Sequence, residues 1–201
     1  MKQIIRIVKS MPKATLIKLK HASKQNLLLY FLAFMIPVVI ILYVFKKMEI
    51  YPFGEMSLLN MDLWAQYFPM FMEQYGNRLS MDSNLYSWGG ALGFNLYAQS
   101  AYYTNSLFNY IFMLFSREHL IDVLDFIILL KFGLSSLMFA VFLKFKYKRL
   151  SMLTVACSVA YALSAYTLAF INQTMWFDAV VFFPLIRSEE HTSELQSRHN
   201  L

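Results

Sequence analysis

The chain has 201 residues, of which 58% are hydrophobic and only 15% charged, with a mean hydropathy of +0.46. Soluble domains are about half apolar and about a quarter charged, so an ordinary water-soluble fold is excluded and lipid is the expected solvent. The net charge of +6 is concentrated beside apolar runs, which reads as membrane topology and lipid headgroup contact rather than as nucleic-acid binding. Cys157 stands alone in an apolar run, so there is no disulfide framework.

Residues 1–25 carry Lys2, Arg6, Lys9, Lys13, Lys18, Lys20 and Lys24 and no acid, and are expected to be cytoplasmic. The first apolar run, 26–45, has no charge and is long enough for a bilayer core of about 30 Å at about 1.5 Å per residue. Lys46-Lys47 follow it where a secretory signal would have small residues, so a retained helix is expected.

The loop from 48 to 119 has mixed charge and is expected outside. It opens with a turn at Tyr51-Pro52-Phe53-Gly54. From Met61 onward, Trp64, Tyr67/Phe68, Phe71/Met72, Tyr75 and Leu79 recur at three- and four-residue spacing. That spacing predicts an amphipathic interfacial helix, bent or broken near Pro69. Asp62 stands at its start, where a short acid caps a helix well; capping is compatible with a catalytic role.

Gly89-Gly90-x-x-Gly93 is a poor nucleotide loop, because no strand precedes it, and reads as turn glycines. Trp64, Tyr86, Trp88, Tyr102 and Tyr103 suit either the aromatic belt at headgroup level or stacking on sugar rings. The apolar stretch 107–114 is too short to span and is expected to be interfacial or re-entrant.

The second long run, 120–143, carries Asp122, Asp125 and Lys131. Lys131 must snorkel or find an anion, on another helix or on a lipid phosphate. The basic loop Lys144-Phe145-Lys146-Tyr147-Lys148-Arg149 is expected inside, and the third run spans 150–171. Asn172-Gln173-Thr174 fits an N-glycosylation triplet only formally. Asp178 is either a helix cap or a second acid on the outer side. A fourth run begins near 179 and stops at Ile186.

At Arg187 the character changes. Arg187-Ser188-Glu189-Glu190-His191-Thr192-Ser193-Glu194-Leu195-Gln196-Ser197 resembles a translated sequencing adapter. The expected organisation is a basic cytoplasmic segment at 1–25, the N-terminal part of a membrane domain at 26–186 and a non-native tail at 187–201, the whole being an inactive fragment of a longer protein. His191 and His199 fall in that tail and are assigned no metal.

Asn60-Met61-Asp62-Leu63-Trp64-Ala65-Gln66-Tyr67, Tyr86-Ser87-Trp88 with Gly93-Phe94-Asn95, Tyr102-Tyr103, and Met175-Trp176-Phe177-Asp178 with Phe183-Pro184-Leu185-Ile186 follow one another in this order and spacing. Together they resemble the YfhO family of bacterial membrane proteins, over essentially all the chain before Arg187. The resemblance implies an all-α fold of polytopic membrane helices, with a long outer loop containing interfacial helices, similar to the GT-C class of glycosyltransferases. It implies a multi-pass protein of the bacterial cytoplasmic membrane with its N-terminus inside. It further implies transfer of a sugar from a polyprenyl-phosphate donor to a cell-envelope polymer, of the lipoteichoic acid kind, on the outer face.

The class places an essential acid in its first outer loop, which corresponds here to Asp62. Substrate contacts are then expected from Gln66, Tyr67, Trp88, Asn95, Tyr102, Tyr103, Lys131 and Asp178, with Arg78 a further candidate for the lipid phosphate. Many GT-C enzymes pair two acids in that loop, whereas Asp62 stands between Met61 and Leu63; no metal ligands are assigned and no cofactor is named. The competing reading is a non-enzymatic transporter or assembly subunit for lipid-linked sugars, which would rely on the charges within the apolar runs.

Overall fold

The computed structural model describes residues 13–80, 85–89 and 92–199, without the side chains of 13–23, 78–80 and 190–199. The expectations for most of the basic segment 1–25, for the Arg78 side chain, for Gly90 and for the side chains of His191 and His199 lie outside the described residues. The described fold is all-α, with isolated β-bridges and no named strand.

Three stretches, Lys24–Lys47, Arg117–Tyr147 and Met152–Ala169, are long and apolar enough to cross a membrane. The first belongs to α1 (Lys13–Lys47). Ala33, Pro37, Val38, Ile41 and Phe45 are buried along one stripe of α1. The opposite side exposes Leu27, Leu28, Phe31, Val39, Ile40, Tyr43 and Val44. A helix apolar all round, with a buried stripe and an exposed apolar stripe, is matched to protein on one side and lipid on the other.

The expected amphipathic helix is present and its irregularity has a cause. Leu63–Tyr67 forms a π turn and leads into α2 (Phe68–Ser80). Pro69 has no N–H to give to an i−4 carbonyl. The widened turn just before it shifts the pairing, and the Phe68 N–H bonds to the Leu63 carbonyl instead. Leu63, Tyr67, Phe71 and Tyr75 then face inward at four-residue steps. Trp64, which shares the predicted apolar set, is 62% exposed.

Ser87 and Phe94 exchange both backbone hydrogen bonds around a tight reversal. Gly93 sits there at φ +89°, and a Cβ on it would collide with the Tyr86 ring. That is the turn role expected of Gly93. The chain continues through α3 (Leu96–Tyr103) and two 3₁₀ helices, Leu107–Leu114 and Arg117–His119. The first of these buries Phe108, Asn109 and Phe112. This is the segment read from sequence as interfacial or re-entrant.

α4 (Leu120–Tyr147) is the hub of the bundle, packed against α1, α5 (Met152–Ala162) and α7 (Thr174–His199). Gly133 lets α1 approach closely, since a Cβ there would lie 2.6 Å from the Phe34 ring and 2.8 Å from Val38. The run expected as one helix over 150–171 is divided. It bends after Ala162, and Ser164 caps a short α6 (Ala165–Ala169) by accepting from the Thr167 N–H. The last helix starts at Thr174, earlier than the apolar run near 179, so Asp178 lies inside α7 and does not cap it.

Lys131 is 1% exposed, so it does not snorkel. Its ammonium lies 2.6 Å from Asp178 Oδ1 and donates an aligned hydrogen bond to the Thr174 carbonyl at 2.9 Å. The Phe108 ring lies beneath it at 5.1 Å. Of the two anions left open by the sequence, the partner is therefore an acid on another helix. Removing one member of such a pair strands a buried charge, at roughly 3–5 kcal/mol, whereas replacing both by apolar groups is often neutral. Lys131→Met and Asp178→Leu should each lower the unfolding temperature in detergent, and the double variant should recover most of the loss. A double variant as unstable as the sum of the two would show that the pair does not couple α4 to α7.

Candidate functional site

The segment that bears Asp62 is anchored from below. Asp125 is 1% exposed on α4, and its Oδ1 accepts a 3.0 Å hydrogen bond from the Leu58 N–H. The next residues run Leu59-Asn60-Met61, with Met61 at φ +45°. A non-glycine residue in the left-handed region costs about 1–2 kcal/mol, and such strain collects where the backbone is held for a purpose.

Asp62 is already helical, at φ −62° and ψ −30°, and makes no capping hydrogen bond. The N-cap role expected for it is therefore not formed. A capping residue needs extended dihedrals to turn its side chain onto the N–H groups ahead, and here Met61 has already made the turn. The Asp62 carboxylate looks sideways instead. Its Oδ1 accepts from Gln66 Nε2 at 3.3 Å, and Gln66 Oε1 accepts from the Tyr103 hydroxyl at 3.0 Å. One turn of helix brings Asp62 and Gln66 to the same face, and α3 delivers Tyr103 to them.

Three aromatic rings complete the cluster. Tyr67 meets Tyr103 edge-on at 5.2 Å, and Tyr103 meets Tyr102 edge-on at 4.8 Å. Tyr67 is 4% exposed, while Tyr102 presents about half its surface. Burial, followed by the neighbouring Tyr102, Tyr103 and Asp62, pushes the Tyr67 phenol up to about 12. The arrangement is a carboxylate held by an amide, backed by a phenol that stays protonated.

Five of the nine expected site residues therefore come together: Asp62, Gln66, Tyr67, Tyr102 and Tyr103. The others go elsewhere. Trp88 is 81% exposed and touches Tyr86 edge-on at 5.0 Å. Asn95 caps α3, its side chain accepting from the Ala98 N–H at 3.0 Å. Lys131 and Asp178 neutralise each other between α4 and α7. Asn109, which the sequence reading did not single out, is 8% exposed and donates to the Thr104 carbonyl at 2.7 Å, fixing the end of α3. Glu73 on α2 accepts from the Ser87 hydroxyl, tying the glycine turn to the interfacial helix. Neither had a local sequence signal, because both partners lie far away in the chain or on a separate element.

A family model described as bacterial membrane protein YfhO matches residues 33–188. The chain belongs to the YfhO family. The match runs from inside α1 through the 48–119 loop and the following helices to Ser188, just past the middle of α7, so the Asp62 cluster and the Lys131–Asp178 pair both lie within it. Comparison with curated proteins and with solved structures gives no match. This YfhO-family chain is a membrane protein, with three helices that have the length and apolar character to cross a bilayer.

The raised Tyr67 phenol gives a pH prediction. A group whose folded value lies above its unfolded value of 10.0 stabilises the fold below that value. The contribution should disappear as pH rises from 10.0 to about 12. A difference titration by tyrosinate absorbance, original chain against Tyr67→Phe, should show the missing phenol ionising near the top of that window. Ionisation of that phenol near 10 would show that Tyr67 is not held in the cluster described.

Proposed function

We propose that this protein is a membrane glycosyltransferase of the GT-C type, moving a sugar from a polyprenyl-phosphate donor to a cell-envelope polymer such as lipoteichoic acid. The observation that carries the reading is the Asp62–Gln66–Tyr103 relay in the outer loop, within the region matched to the YfhO family. Gln66 engages Oδ1, and among the described residues Oδ2 has no partner, so it can receive the proton of an incoming hydroxyl. The acceptor oxygen attacks the anomeric carbon, its proton passes to Asp62, and the bond from that carbon to the lipid phosphate breaks. General-base help of this kind contributes about 10²–10⁴-fold. The departing phosphate needs cations or hydrogen-bond donors, and Tyr102, with its exposed edge, lines the approach.

The same reading puts the N-terminus in the cytoplasm and the Asp62 cluster on the outer face. The basic stretch Lys144, Lys146, Lys148 and Arg149 closes α4 at the end away from the loop. The segment from Arg187 is read as a non-native tail. The alternative, a non-enzymatic transporter or assembly subunit for lipid-linked sugars, draws on the charges within α4. Lys131 is taken up by Asp178 and the Thr174 carbonyl, which leaves that cation in a structural role and favours the enzyme.

In the full-length protein, Asp62→Asn should keep its membrane expression and lose about 10²–10⁴-fold in sugar transfer. Near-normal transfer would remove Asp62 as the base. For topology, cysteines at Leu92 and Tyr147 in a Cys157→Ser background should differ, with position 92 labelled by an impermeant maleimide in intact cells and position 147 protected. Labelling of position 147 from outside would invert the orientation and defeat the reading.

A further inference from the structure

The outer loop contains a recess that the Asp62 cluster does not use. It has a volume of about 280 Å³ and lies between α2, α3 and the start of the first 3₁₀ helix. Gln74 comes from α2; Tyr97, Ser100 and Thr104 come from α3 and its end; Asn105 and Tyr110 complete the wall. None of these is among the nine residues expected from sequence.

Its chemistry is uniform. Among the described residues the lining has hydroxyls, side-chain amides and tyrosine rings, and no acidic or basic side chain. Hydroxyls and amides can each donate and accept, which matches the alcohol groups of a sugar or polyol. A phosphate or carboxylate would find no counter-charge among the described lining residues. The Ser100 hydroxyl is buried and has no hydrogen-bond partner, and an unpaired buried hydroxyl is costly unless something supplies the missing bond. Drug-sized ligands occupy roughly 300–1,000 Å³, so this recess suits one ring or one polyol unit and not a chain.

We propose that this recess binds a single uncharged sugar or polyol unit, with Ser100, Gln74 and Asn105 hydrogen-bonding its hydroxyls and Tyr97 and Tyr110 as its flat walls. Its placement gives it a use. Ser100 and Thr104 line the recess from α3, and Tyr103, on the same short helix, donates into the Gln66–Asp62 relay. The site thus sits beside the proposed base through one rigid element. Its role in catalysis rests on the glycosyltransferase reading, whereas its ability to bind does not.

The unit has two possible sources, the donor's sugar or a polyol acceptor. Methyl glucoside and ribitol are the corresponding probes. Binding is measured by saturation-transfer NMR on the purified chain in a sugar-free zwitterionic detergent. At least one probe should bind saturably, and the tighter one names the source. Ala101→Trp, at an exposed lining position, should fill the recess and weaken binding by at least about tenfold. Ser100→Ala, which removes one oxygen and little volume, should weaken it by a smaller factor while the circular dichroism stays unchanged. Asp62→Asn should leave binding as it is, whatever it does to transfer. Equal binding by the original chain and both recess variants, or no saturable binding of either probe, would overturn the proposal and leave the Asp62 reading standing. Intact recess binding with normal transfer by Asp62→Asn would do the reverse.

Discussion

A charge removed from water must be matched where it stands, and this constraint organises the molecule around α4. Asp125 and Lys131 are about one and two-thirds helical turns apart, so they leave α4 in different directions. Each is 1% exposed. Asp125 takes the Leu58 N–H, which ties down the chain just before the interfacial helix. Lys131 takes Asp178 and the Thr174 carbonyl, which ties down the start of α7. One central helix thereby positions both the outer loop and the last helix through polar contacts, while apolar stripes fill the remaining space.

The apolar contacts are less selective but more numerous. Ile41 and Phe45 of α1, Tyr67, Phe71 and Tyr75 of the interfacial helix, Phe108 and Phe112 of the 3₁₀ segment and Phe177 and Val181 of α7 join α4 in one core. These parts of the 48–119 loop are therefore not a flap over the bundle but belong to the same packed unit. Tyr75 reinforces this by donating to the Phe115 carbonyl at 2.8 Å. A site built on such a loop inherits the rigidity of the helices beneath it, which would suit the role proposed for the Asp62 carboxylate. The strained backbone at Met61 belongs to the same arrangement, because it turns Asp62 into the helix with its side chain directed at Gln66.

Family membership and geometry converge on the same stretch without saying the same thing. The YfhO match covers the chain as a membrane protein. The relay of Asp62, Gln66 and Tyr103 is particular to the fold, since residue 103 reaches residue 66 only because α3 folds back over the π turn. The buried phenol of Tyr67 beside it keeps a neutral wall behind the acid. An oriented carboxylate next to aromatic surface is what a glycosyl transfer would use, and it sits in the loop where the sequence first drew attention.

Much was legible in the residues alone. Three long apolar runs, the spacing of Tyr67, Phe71 and Tyr75 and the glycine at position 93 each encode a local rule: span length, helical period and a positive φ. These indicated the all-α membrane fold, the amphipathic helix with its irregularity at Pro69, and the turn at Gly93. What depended on distance in the chain was not legible. The partner of Lys131 lies 47 positions away at Asp178, and that of Asp125 lies 67 positions away at Leu58. No local period encodes either pairing. Asp62 looked like a helix cap by position, and only the dihedral of the residue before it decided otherwise. The sequence by itself determined which segments must leave water and with what period; tertiary packing alone decided which buried charge meets which partner, because that choice is made by helices that touch only after the chain has folded.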